Sequence, residues 1–180
     1  MAILVQREKG NKSYEEVGHE HPLAVQLYQG EEKPLIWTNS PVWVTDKLLV
    51  PGIGTAAAYL PGDAFGTKFY FTVPAEGLIS NINFLDFDDE GSQKDFVLFS
   101  EDFTATADNA AFNVSDDDLL NCLGVISVTT FFNFGANQLG TGTPAFGYKP
   151  PNRRLYCQLV TQGTDNIAAG AIPRVFLVVA

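Results

Sequence analysis

Four prolines, Pro34, Pro41, Pro51 and Pro61, recur every ten or so residues and limit what can form between them. Each fixes φ and removes a backbone donor, so a long helix cannot run through this region and only short extended segments between turns remain. Ile36, Trp37, Val42, Trp43 and Val44 are the strand candidates there. Upstream, the first thirty residues alternate in character. AILV suits a short strand, REKGNKSYEE is charged and flexible, and HPLAVQLY sets Leu23, Val25 and Leu27 against polar or small neighbours. Two readings stay open for Met1 to Gly30: an extended arm with one or two strands, or the first strands of the main sheet.

Beyond the loop PGIGTAAAYLPGDAFG, Phe65, Thr67, Phe69, Phe71 and Val73 alternate with Gly66, Lys68, Tyr70 and Thr72, the period of a half-buried strand. Leu78 to Phe87 predicts a second strand, with Leu78, Ile82 and Phe84 on one face and Ile79 and Leu85 on the other. The turn DFDDEGSQ and the doubly apolar run DFVLFS complete a predicted hairpin around Gly91. Ser115 before Asp116, Asp117 and Asp118 predicts a helix N-terminus, with Leu119, Leu120 and Leu123 on one face and Gly124 at the stop. Val125 to Phe134 reads as one long strand. GANQLGTGTPAFGYKPPNRR reads as a mobile or contact-making excursion, and Leu155 to Val160 and Val175 to Val179 as closing strands. An end that apolar has to pair in a sheet or dock on a partner.

These elements predict an all-β chain: a β-sandwich, in its finer form a jelly-roll, with one short helix at about 115–123 and an extended N-terminal arm. A closed barrel is the alternative. Residues 1–50 form the arm and leading strands, and 51–180 the sandwich body. With 180 residues, 46% of them hydrophobic, one such core can be filled, and 14 Phe against one Met make it ring-packed.

Lys and Arg number 11 against 21 Asp and Glu, a net charge of −10 that repels nucleic acid and anionic lipid. No apolar run approaches the roughly 20 residues of a membrane span, and the apolar patch of MAILVQREKG is too short for a signal peptide. A soluble protein folded in a cytoplasm is expected, with neither nucleic acid nor membrane as partner. Cys122 and Cys157 belong to no C-x-x-C motif and read as two buried thiols, a single disulfide being the alternative.

Chemistry-bearing motifs are sparse. Asp86, Asp88, Glu90 and Gly91 match the start of a calcium loop, but Val97 stands where a bidentate Glu belongs, so a solvated acidic turn is the plainer reading. Asp116 to Asp118 are explained by the helix end. His19 and His21 share one side of a strand and lack a third ligand. The Gly-rich loop at 51–66 has no phosphate-loop pattern, and no G-x-S-x-G nucleophile motif occurs. No catalytic, cofactor or metal residue is assigned, and an enzyme is not expected. Trp37, Trp43, Tyr59, Tyr148 and Tyr156 are candidate platforms for sugars or a protein interface.

Gly62 to Gly66 (GDAFG), Asp86 to Gly91 (DFDDEG), Thr104 to Phe112 (TATADNAAF) and Ser115 to Asp118 (SDDD), with the closing strand LYCQLVTQGTDNIA, resemble a family of small virion structural proteins of tailed bacteriophages. The resemblance covers about Gly62 to Ala180 and carries over no site. It implies a β-sandwich on the capsid surface of the virion, a decoration or cement protein made in the host bacterial cytoplasm. The implied partners are the major capsid protein and further copies of the chain, a trimer being the expected oligomer. An arm at Met1 to Gly30 would then lie across neighbouring subunits. A carbohydrate-binding or receptor-binding sandwich on a tail, or a connector component, is the alternative.

Overall fold

The structure is a computed structural model that describes residues 42–180 throughout and, before them, the backbone of four short strands. The chain divides into two compact units, 1–41 and 42–180. In the first, β1 (Leu4–Gln6) pairs antiparallel with β2 (Tyr14–Glu16), and β3 (Val25–Tyr28) with β4 (Pro34–Trp37). Tyr14 to Glu16, read as flexible, is therefore paired strand. His19 and His21 lie outside the described residues.

The second unit holds β5 (Trp43–Val44), β6 (Leu48–Leu49), β7 (Ala64–Thr72), β8 (Gly77–Asp86), β9 (Lys94–Phe99), α1 (Asp116–Leu119), β10 (Cys122–Val128), β11 (Thr130–Asn133), β12 (Gln138–Gly142), β13 (Phe146–Tyr148), β14 (Arg154–Thr161) and β15 (Arg174–Val179). They form a four-stranded antiparallel sheet, β10-β9-β14-β7, and a seven-stranded one, β11-β12-β8-β15-β5, in which β13 also pairs β8 and β6 also pairs β15. Taking β5 and β6 as one broken strand and numbering it with β7, β8, β9, β10, β12, β14 and β15 from one to eight, the sheets read 1-8-3-6 and 2-7-4-5. That is the jelly-roll order. Residues 43–49, expected among the arm's leading strands, supply its first strand.

Between the sheets lies a core of Phe65, Phe71, Ile79, Ile82, Phe84, Phe96, Leu98, Leu155, Leu159, Val175 and Leu177, all essentially inaccessible. Burying each such side chain contributes about 1.5–3 kcal/mol. The four-stranded sheet is covered on its outer face as well: Val97, Phe99, Tyr156 and Val160 pack with Phe103, whose ring stacks 4.0 Å from that of Phe99. This explains why β9 is apolar on both sides. Buried Gln158 holds the covering segment in place, donating to Gly66 O and Thr106 O and accepting from Thr106 N.

Several local expectations are corrected by long-range pairing. β8 and β9 do not form a hairpin: β8 joins the seven-stranded sheet and β9 the other, where both its faces find cover. Within β8 the pairing to β15 shifts so that Val178 faces Asn81 and Val179 faces Ile79. The extra residue, Ser80, turns Ile79 inward beside Ile82 and Phe84 and leaves Leu78 exposed. The run read as one long strand from Val125 breaks at Thr129, with β10 and β11 in different sheets. The Gly/Pro-rich stretch after it contains β12 and β13, both paired with β8. The helix is one turn rather than 115–123. Ser115 caps it by accepting from Asp118 N, but no residue in it is buried, and Cys122 and Leu123 already belong to β10 because Cys122 pairs with Phe99. The apolar C-terminus is paired, as expected, with β15 lying between β8 and β5.

Candidate functional site

Both sheets end at the same side of the body, where β5 and β6 form one edge and β7 the other. Between these edges runs an open groove of about 800 Å³ lined by Trp43, Val44, Leu49, Lys68, Tyr70, Asp102, Arg154 and Tyr156, among others. Alternation along β7 sends Phe71 into the core and turns Lys68 and Tyr70 outward, while β14 presents Arg154 and Tyr156 at the matching level, Tyr156 opposite Tyr70. Their rings lie 5.8 Å apart, and the Arg154 guanidinium sits 4.5 Å over Tyr70. Trp43 remains half exposed on the facing edge. Lys68 Nζ donates to Asp102 Oδ1 at 2.6 Å and to Phe103 O. The hydrogen bond from Lys68 holds the Asp102 carboxyl below its ordinary range.

Flat rings, a guanidinium and fixed hydrogen-bonding groups along an open trough can bind an extended chain, sugar or peptide, by stacking and edge contacts. Asp102 is paired with Lys68 at the rim of this trough.

The expected aromatic platforms separate clearly. Trp43 and Tyr156 line the groove. Tyr59 is a core residue hydrogen-bonded to Asp108, and burial together with that carboxylate raises its pKa well above the usual range. Tyr148 is buried too, with its hydroxyl unpartnered and its pKa pushed up by burial to about 12. The side chain of Trp37 lies outside the described residues. Tyr70 and Arg154 were missed as binding groups, although Tyr70's outward place in the period-2 strand was the available signal.

In the acidic turn the carboxylates do not converge. Asp86 accepts from the amides of Asp88 and Gly91, both at 2.9 Å, Asp88 from that of Ala168, and Asp89 from Asn133 and Gln138. Among the described residues no cluster of three metal-ligating side chains occurs. The cation beside this turn is the protein's own. Lys94 is 1% exposed and lies 3.0 Å from Asp165 Oδ1, itself fully buried. Lys94 Nζ also donates to Ser92 O, and the Asp165 carboxylate accepts from Ser92 Oγ and Thr161 Oγ1. The two cysteines are free thiols. Cys157 is fully buried, which pushes its pKa up, and Cys122 is partly exposed.

The Gly-rich loop likewise turns its amides inward. Asp108 accepts from Gly54 N at 2.8 Å, Gly66 N at 2.7 Å and Tyr59 Oη at 2.8 Å. Gly66 has φ +76°, and a Cβ there would stand 2.6 Å from Pro51 O, so both the turn and the close approach require glycine. Gly62 to Gly66 and Thr104 to Phe112 are thus packed together, through the Asp63–Ala111 bridge and the Ala64 N–Ala110 O bond.

No protein-family model, curated protein or solved structure matches this chain.

Proposed function

We propose that this chain is a virion structural protein, a decoration or cement protein that binds the outer surface of a tailed-phage head through contacts spread over the jelly-roll. The observation carrying this reading is that apolar side chains are exposed at separate places. Val42, Trp43, Val44 and Leu49 lie along the β5–β6 edge, Phe132 and Phe134 on and just after β11, and Leu119 and Leu120 at the end of α1. Distributed patches suit adhesion to a lattice, where many weak contacts add by avidity. The net charge of −10 keeps free copies apart before assembly. The major capsid protein is the proposed partner, with copies of this chain meeting as an oligomer on the shell. Electron cryo-microscopy of particles bearing this protein tests the reading. Density repeated over the head lattice is expected, whereas density confined to the tail or portal vertex, or none on the particle, overturns it.

The groove supports a second reading, a glycan-binding or receptor-binding module of the tail, because Trp43 and Tyr70 offer exposed rings beside Arg154. Glycan binding that disappears in Tyr70→Ala, on a protein found only at the tail, would favour it.

A further inference from the structure

The pair formed by Lys94 and Asp165 is sealed from solvent and held at contact distance by further hydrogen bonds. The two side chains lie 71 positions apart in sequence, are 1% and 0% exposed, and bring Nζ to 3.0 Å from Oδ1. The rings of Phe65 and Phe84 stand 5.0 and 5.3 Å from Nζ and close the site to solvent. Ser92 O orients the amine, and the hydroxyls of Ser92 and Thr161 each hold one carboxyl oxygen, Oδ1 and Oδ2 respectively. We infer that Lys94 and Asp165 condense into an intramolecular isopeptide bond, a covalent tie between β9 and the segment that follows β14.

The reaction needs no co-reactant. A proton passes from Nζ to Oδ1 along the existing hydrogen bond, giving a neutral amine and a neutral acid. Nζ attacks Cγ, and the N–C bond forms. A second proton moves from nitrogen to Oδ1, the Cγ–Oδ1 bond breaks, and one water leaves. Oδ2, hydrogen-bonded by Thr161, becomes the amide oxygen. In bulk water the charged reactants and the excess of water oppose this condensation. Here burial lowers the Lys94 pKa, outweighing the opposing influence of Asp165, Asp86 and Glu90, and so favours the neutral amine. Fixing the reactants at contact distance supplies a large effective concentration. Forming the amide also removes two charges whose burial is costly. The cross-link would reinforce a body whose two cysteines are both free.

Intact-mass spectrometry of the denatured full-length protein, after prolonged incubation folded, tests this directly. The expected result is a mass lower than the sequence mass by one water, with a branched proteolytic peptide joining Lys94 to Asp165. Lys94→Arg keeps a cation against Asp165 and should restore the full mass. Asp165→Asn should condense with loss of ammonia in place of water, which keeps the test available if the arginine variant fails to fold. An unaltered wild-type mass overturns the inference. So does a one-water deficit that is removed by hydroxylamine and gives no branched peptide, the signature of a succinimide.

Discussion

Replacing Asp108 with alanine removes the one carboxylate that ties the Gly/Pro-rich loop, the start of β7 and Tyr59 together. Three hydrogen bonds are lost, from the amides of Gly54 and Gly66 and from the Tyr59 hydroxyl. Bonds to a charged group contribute about 1.5–3 kcal/mol each, and a buried donor left alone costs about 1–3 kcal/mol. They do not count equally. Gly54 is partly buried and its amide keeps Tyr59 Oη at 3.0 Å, and Tyr59 Oη keeps Gly54 O as an acceptor at 3.4 Å, whereas Gly66 is buried and its amide loses its carboxylate partner outright. One stranded donor and one weakened hydroxyl bond give an expected loss of about 2–4 kcal/mol, a large share of the roughly 5–15 kcal/mol that holds a domain folded. Urea unfolding followed by fluorescence should show the midpoint falling by about 1–2 M at unchanged slope, taking a slope near 2 kcal/mol per M. Tyr59→Phe should cost less, and the double variant should cost less than the sum, because the two residues share a bond. A loss below about 1 kcal/mol for Asp108→Ala would refute the assignment of this carboxylate as the tie.

Two further outcomes follow from individual side chains. Tyr148→Phe removes a buried hydroxyl that has no partner and should be neutral or stabilising by up to about 1 kcal/mol in the same urea assay; a loss above about 1 kcal/mol would show that the hydroxyl is bonded in solution. Glu90 has its carboxyl pushed above the ordinary range, chiefly by burial and further by Asp165, Asp88 and Asp86. The native state therefore holds this proton to higher pH than the unfolded chain, so stability falls as pH rises from the ordinary carboxyl value of 4.5 through the raised folded pKa. Glu90→Gln should remove that decline in a pH series of thermal midpoints, and an unchanged slope would count against the partly buried, acid-flanked setting of this carboxyl.

The residues that carry the phage resemblance are tie points in the fold. Asp63, Ala64 and Gly66 meet Asp108, Ala110 and Ala111. Asp86 closes its own turn through the amides of Asp88 and Gly91, and Asp118 accepts from Thr104 N while Ser115 caps Asp118 N. These are short polar patterns at bends, where backbone donors need partners, and similar patterns recur wherever a chain must make the same bends. They describe how the body is folded rather than what it binds.

What the sequence determined alone was local. The alternation from Phe65 to Val73, the double-sided apolar run of β9 and the apolar β15 read directly as strands, because side-chain direction alternates with each residue whatever the strand pairs with. The all-β sandwich followed from them. Tertiary structure decided which strands are neighbours. It sent β8 and β9 to opposite sheets, split β10 from β11, placed the bulge at Ser80 and recruited residues 43–49 as the first jelly-roll strand. It also built both candidate sites: Tyr70 meets Arg154 and Tyr156 only because β7 pairs with β14, and Lys94 reaches Asp165 across 71 positions. A lysine at the head of an apolar strand reads as exposed until a carboxylate, two hydroxyls and two rings from elsewhere in the chain surround it, since burial and charge pairing are properties of the assembled neighbourhood rather than of the residue.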